Sequence, residues 1–330
     1  MKDKKSILGK ITASREASLM IVLIILCFVI QMRNSSFLTP SSIGEMLKNN
    51  AVIMVMTLGM LNVLLLGGID ISIASTLALS GMSVGMLIKR GIVTNTFLCF
   101  MIAILIGAVC GAIVGLTISK GRVLPIIATM GFMYIFRGAA YMVSSDEWAG
   151  ADALGSFKDF ALNSVLGINN IIWIVIVCYA IFFIVMKWTK VGRMVYAVGS
   201  NREATMISGI RADRVEFFVY LIMGILSGLA GAMAVTVYAS AQPNMMYAKE
   251  MDVIAACVIG GVSTTGGRGS VGGALIGALI IAIIAKALPL VGIDAIAQNT
   301  VKGLIILVVI VLNVVTQRTM DKNVLKGREM

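Results

Sequence analysis

Continuous apolar runs punctuate this chain from end to end, at residues 17–32, 49–66, 71–88, 97–118, 123–143, 170–186, 215–237, 251–263, 271–288 and 301–315. A helix that crosses lipid needs about 20 apolar residues. The hydrocarbon core offers no water to bare backbone, so only helices and closed barrels span it. The runs are unbroken, whereas barrel strands alternate apolar and polar residues, and this selects helices. Apolar residues make up 59% of the chain and charged residues 13%, about half the charge of a soluble domain. The expected fold is an all-α integral membrane protein of about ten transmembrane helices, a single transmembrane domain over residues 1–330. The run 251–263 is too short to span and reads as a half-helix or re-entrant segment whose polar continuation is buried in protein.

Charge sets the expected orientation. The net charge is +11 with no histidine. In a soluble protein such an excess would point to nucleic acid; here the basic residues flank membrane runs and read as topology signals, with no nucleic-acid partner. If the first run enters from the cytoplasm, 18 of the 27 basic residues fall on cytoplasmic stretches and both termini are inside. Lys89-Arg90 fits this orientation badly, because it falls on an outer turn. The segment 144–169 carries Asp146, Glu147, Asp152 and Asp159 against the single lysine Lys158, which suits the outer face.

Residues 187–214 are the polar exception, an internal stretch holding six basic residues between two long apolar runs. A bundle that places so much polarity in one loop uses it to meet something in water. Residues 201–209 have helix grammar: Ser200 or Asn201 to cap, Glu203 in the first turn and Gly209 to stop. The competing reading is a basic loop lying on anionic lipid.

Several smaller features carry two readings each. Asp70, within Gly67-Gly68-Ile69-Asp70-Ile71-Ser72, is either an N-cap for the following helix or a polar element of a translocation path. Arg137 lies inside the run 123–143, either paired with carbonyls or an acid, or facing a pore. Gln242, Pro243 and Asn244 form either a polar turn or a contact for hydroxyl-rich solutes. Glycines at four-residue spacing (Gly107, Gly111, Gly115; Gly224, Gly228; Gly273, Gly277) let helices approach closely. One internal echo pairs Leu66-Gly-Gly-Ile-Asp-Ile-Ser with Ile259-Gly-Gly-Val-Ser-Thr-Thr; it reads as a repeat or as coincidence in a Gly-rich chain. The five cysteines all lie in apolar runs, as small buried hydrophobes, with no metal-ligand spacing. No phosphate-binding Gly-x-x-x-x-Gly-Lys-Ser/Thr, Gly-x-Ser-x-Gly or His-Glu-x-x-His motif is present, so enzyme chemistry is not expected.

Taken in order, these motifs resemble the permease subunits of ABC importers of the ribose/monosaccharide and autoinducer-2 type. The carriers are Gly68-Ile69-Asp70-Ile71-Ser72, Lys120-Gly121-Arg122, Arg137-Gly138, Gly192-Arg193, and Gly199 with Asn201, Glu203-Ala204 and Ser208-Gly209-Ile210. They continue through Ala241-Gln242-Pro243, Ala255-Ala256, Gly260-Gly261-Val262-Ser263 and Gly266-Gly267-Arg268-Gly269. Ile71, Ala74 and Thr205 depart from the family's usual residues. The resemblance implies a bacterial inner-membrane protein that carries a monosaccharide or a related small polar solute. Its implied partners are cytoplasmic ATPase subunits, a second permease copy or paralogue, an extracytoplasmic solute-binding protein and the lipid bilayer. No cofactor belongs to this chain; ATP-Mg would be bound by the partner ATPase. Residues 187–214 would be the cytoplasmic coupling loop, with Asn201, Glu203, Ala204, Ile207, Ser208, Gly209 and Ile210 meeting the ATPase. Asn62, Asp70, Ser72, Arg137 and Gln242 would belong to the translocation path. An ion-coupled secondary transporter is the alternative, disfavoured by the scarcity of acids away from loop edges and the absence of histidine.

Overall fold

The computed structural model describes residues 15–290 and scattered positions between 292 and 311. The basic N-terminal lysines, most of the run 301–315 and the C-terminal tail lie outside the described residues.

The helices are α1 (Arg15–Arg33), α2 (Pro40–Leu65), α3 (Ile73–Lys89), α4 (Thr96–Ser119), α5 (Pro125–Ser144) and α6 (Asn170–Trp188). They continue with α7 (Lys190–Ser200), α8 (Arg202–Ile207), α9 (Ala212–Tyr238), α10 (Glu250–Ile259) and α11 (Val271–Leu290). Among the described residues six helices are long and apolar enough to cross a membrane, namely α2, α4, α5, α6, α9 and α11, while Leu19–Arg33 and α3 are shorter apolar helices. α10 has 10 residues, a rise of about 15 Å, half a hydrocarbon core; the short run at this place is a half-length helix.

Helix extents depart from the apolar runs where capping, not hydropathy, decides. α2 begins at Pro40, nine residues before its run, because Thr39 accepts a hydrogen bond from Ser42 N and Pro40 fits the first turn. Residues 190–200 form α7, a helix the polar composition hid; Thr189 caps it by accepting from Gly192 N.

α2, α9 and α11 form the buried middle, and α4, α5 and α6 lie around them with most of their surface exposed. Every residue from Ala51 to Leu65 on α2 is buried, as expected for a helix that is apolar all round. α9 packs most extensively against α4. Their seam is the glycine series: a methyl group on Gly107 would strike the Gly224 carbonyl, and one on Gly228 the Ala103 carbonyl. Such backbone contact supplies the dispersion that holds helices together when lipid removes the hydrophobic drive.

At one end of the bundle the connection 144–169 folds into a 3-10 turn (Gly155–Ala161) and a two-stranded hairpin pairing β1 (Ser164–Val165) with β2 (Ile168–Asn169). Ala149 pairs there with Ala241. Lys89 Nζ reaches Glu147 Oε2 at 2.8 Å and the Trp148 carbonyl at 3.1 Å. This accounts for a lysine on an acidic face: it neutralises the acidic loop and holds the Glu147 carboxyl below the usual carboxylate range.

Candidate functional site: the capped surface helix and the loops beneath it

The other end of the bundle carries α7, α8 and the loops 66–72 and 260–270. Asn201 sits in extended conformation between α7 and α8, and its side chain caps α8 by accepting from Ala204 N at 2.9 Å. At the far end Gly209 N–H donates to Met206 O and Ile210 N–H to Thr205 O, with Gly209 at φ +84. That pair of bonds is a Schellman closure, which needs a residue tolerant of positive φ. The Asn201 cap, Glu203 in the first turn and the Gly209 stop are as the sequence predicts.

α8 holds to the body through two side chains. Thr205 is buried, its hydroxyl 2.6 Å from the Asn201 carbonyl and 2.9 Å from the Ala197 carbonyl. Arg202 Nε donates to Glu216 Oε1 at 2.7 Å, and its terminal nitrogen pairs with Asp213; both acids lie in the first turns of α9. Arg122, from the α4–α5 turn, reaches the same Asp213 at 3.3 Å. The remaining surface points outward: Glu203, Ala204, Met206 and Ser208 are exposed and Ile207 is 88% exposed.

Beneath α8, Gly199 lies so close to the Leu65 carbonyl and Gly267 N that no Cβ fits there. Gly267 N–H donates to the Leu65 carbonyl at 2.8 Å, and Tyr196 Oη donates to the Gly269 carbonyl at 2.9 Å. Backbone contact thus links α7, the end of α2 and the loop 260–270. The sequence reading did not single out Arg202, Tyr196 or Glu216; the acids Asp213 and Glu216 at the start of an apolar run were the available signal.

The five candidate path residues fall in three places. Asp70 and Ser72 are buried together: Asp70 Oδ1 accepts from Ser72 N at 2.8 Å and from Ser72 Oγ at 2.6 Å. Asp70 is therefore not the N-cap expected of it: Ser72 holds that position and makes no side-chain cap bond, and Asp70 instead closes an Asx turn two residues ahead of α3. Thr129 of α5 grips the same loop, accepting from Ile71 N and donating to the Ile69 carbonyl, both at 3.2 Å. Arg137 lies toward the opposite end, where it donates to the Pro243 and Met245 carbonyls at 2.7 and 3.0 Å, beside Gln242, which donates to Ser240 Oγ. Asn62 is buried in α2, donates to the Leu58 carbonyl and borders a cavity between α6, α7 and α9.

A multi-helix apolar bundle with a capped short helix displayed at one end is consistent with a membrane transport permease. The family described as branched-chain amino acid transport system / permease component matches residues 42–313, and the chain belongs to it. The chain is 38% identical over 294 residues to the ribose import permease protein RbsC of Haemophilus influenzae, covering 88% of this chain and 90% of that protein. It is 31% identical over 297 residues to the L-arabinose ABC transporter permease protein AraH of Azospirillum brasilense (90% and 87% covered). It is 33% identical over 255 residues to the autoinducer 2 import system permease protein LsrD of Salmonella paratyphi B, covering 76% of each chain. No solved structure matches the chain. The protein is therefore a permease component of an ABC importer, a multi-pass inner-membrane transport subunit and not an enzyme.

Proposed function

We propose that this permease carries a ribose-like monosaccharide, or a related small polar solute such as autoinducer-2, and that α8 couples it to a cytoplasmic ATPase. The substrate class rests on the relatives, whose names all specify a sugar or autoinducer-2 at 31–38% identity. The coupling role rests on one observation above all: a helix capped at both ends shows its apolar tip, Ile207, to solvent while its base is locked into the bundle by Arg202 and Thr205. A chain without a phosphate-binding loop must receive free energy mechanically, and a stiff exposed helix transmits force where a loose loop does not. Asn201, Glu203, Ala204, Ile207, Ser208, Gly209 and Ile210 make up the docking surface and its caps. ATP-Mg binds to the ATPase partner, a second permease copy or paralogue completes the pathway, and a solute-binding protein delivers the solute at the opposite face.

In this reading the end bearing α7 and α8 is cytoplasmic, both termini are inside, and about ten segments enter the membrane with α10 as a half-helix. The excess of basic residues on that side supports the orientation. Asn62, Asp70, Ser72, Arg137 and Gln242 stand as path candidates, with Asp70 and Ser72 nearest the coupling junction. The test of coupling is Ala204→Arg, which places a charge in the docking surface without touching the bundle. Expression and membrane insertion should persist while ATPase co-purification and coupled uptake are lost; retention of both would remove the docking role. Cysteine labelling tests the orientation, with a site at Lys158 reactive from outside and one at Asn201 from inside.

A further inference from the structure

A groove of about 810 Å³ opens between α6, α7 and α9. Its walls are apolar, Phe182, Met186, Met194, Val195, Val219 and Ile222 among them. From Arg211 at its mouth to Ile222 the groove follows α9 for about 16 Å, the depth of one leaflet of a hydrocarbon core about 30 Å thick. A second groove, about 420 Å³, runs along the other side of α9 against Leu116 of α4. The two grooves share one ridge, Arg214 and Phe218. These residues are four apart on α9 and so stand one above the other. Phe218 is 54% exposed.

The rims are cationic. Arg211 and Arg214 at the first groove and Lys120 at the second are exposed, and among the described residues their side chains make no ion pair or hydrogen bond. The acid lining these grooves, Asp213, is already held by Arg202 and Arg122.

We propose that the paired grooves are a binding site for one diacyl anionic phospholipid, with its acyl chains on either side of Phe218 and its phosphate between Arg211 and Arg214, within reach of Lys120. Two apolar channels flanking one ridge fit the two tails of a single lipid. Unpaired guanidinium groups at the headgroup level select a negative lipid over a zwitterionic one. Gly209 and Ile210, which close α8, border the first groove, so the bound lipid braces the chain where it leaves the docking helix. Which leaflet supplies the lipid follows from the orientation proposed above; the binding itself does not depend on ATPase docking.

The test is lipid retention by the detergent-purified permease, without ATPase, read by native mass spectrometry, and lipid selection in nanodiscs of mixed phosphatidylglycerol and phosphatidylethanolamine. The wild-type chain should retain one phosphatidylglycerol and prefer it. Arg211→Gln with Arg214→Gln should lower that retention by roughly 10- to 30-fold, the loss expected of two basic residues at an anionic surface. Arg211→Lys with Arg214→Lys should preserve most of it, which separates charge from misfolding. Ile222→Trp, which fills the first groove, should displace the lipid whatever its headgroup. Unchanged retention in the double glutamine variant, or no preference for phosphatidylglycerol in the wild type, overturns the proposal. So does a Phe218→Cys cross-link to a second copy in membranes, which would make the ridge a protein interface. Ala204→Arg should leave lipid retention intact, so failure here and failure of ATPase docking are read separately.

Discussion

The loops 66–72 and 260–270 begin alike and end differently. Each follows a helix closed by a Schellman pair. Gly67 N–H donates to Leu64 O and Gly68 N–H to Val63 O; Gly261 N–H donates to Val258 O and Val262 N–H to Cys257 O. Each then makes a side-chain turn two residues long. Asp70 receives the amide and hydroxyl of Ser72, and Ser263 Oγ receives the Thr265 amide at 3.3 Å and meets the Thr265 hydroxyl at 2.9 Å. The first turn uses a carboxylate, is buried and has bonds of 2.6–2.8 Å. The second uses a neutral hydroxyl and lies at the surface. Charge-assisted bonds are roughly twice as strong as neutral ones, and water competes for the exposed turn. One loop is a fixed start for α3. The other is a surface strip whose backbone packs against Gly199 and Tyr196 of α7.

The largest effect should come from the residue that joins them. Gly199 has the Leu65 carbonyl on one side and Gly267 N on the other, with no room for a side chain. Gly199→Val must push α7 off the end of α2, where the first loop starts, and off the second loop, at a cost of about 1–3 kcal/mol for overpacking. If the proposed coupling through α8 runs by this junction, uptake should fall at least as far as stability. Gly138→Ala, where an added Cβ meets nothing within 4 Å, is the matched control and should leave both Tm and uptake unchanged. A silent Gly199→Val would show that the two loops are not mechanically joined.

Next come the groups that make the first loop rigid. Asp70→Ala removes the acceptor for both Ser72 donors and should cost about 1–3 kcal/mol in stability, whereas Asp70→Asn keeps an acceptor oxygen for the same Asx turn and should be mild. Loss of uptake in Asp70→Asn at unchanged Tm would instead assign the carboxylate charge to solute passage. Thr129→Val removes one hydroxyl that both accepts and donates on that loop and should cost about 1 kcal/mol, read as a lower Tm with uptake retained.

Much of this was legible in the residues, and the rest fails for definable reasons. Apolar runs located the membrane helices because burial in lipid or protein demands them, yet they did not locate helix ends, which are set by caps such as Thr39 and Thr189. The α8 helix was readable because its signals, Asn201, Glu203 and Gly209, are local. α7 was not, because its buried face is only Gly192, Val195 and Val198 within a basic stretch. The surroundings of the candidate path residues were the least legible. Chemistry marks Arg137 as costly, but the Pro243 and Met245 carbonyls that hold it lie more than 100 residues away in the chain. The internal echo is half right in register. Its side-chain turns align Asp70 with Ser263, whereas its caps align Gly67 with Gly261, one residue later than the matched letters. What recurs is a helix stop followed by a side-chain turn.

The smallest effect tests that correspondence most directly. Ser263→Asp gives the second loop the acceptor of the first. The new carboxylate should take the Thr265 amide and hydroxyl as Asp70 takes those of Ser72. At an exposed position water screens most of the gain, so the stability change should be a few tenths of a kcal/mol at most. Local order should respond more than global stability: the Thr265 amide should exchange with solvent more slowly in Ser263→Asp than in the wild type, and faster in Ser263→Ala. Uptake should fall modestly in the aspartate variant if compliance of this strip lets the junction at Gly199 move, and remain at wild-type level if the strip is only a connector. Unchanged Thr265 exchange in both variants would mean that the Ser263 turn does not persist in solution, and the two loops would then share their helix caps alone.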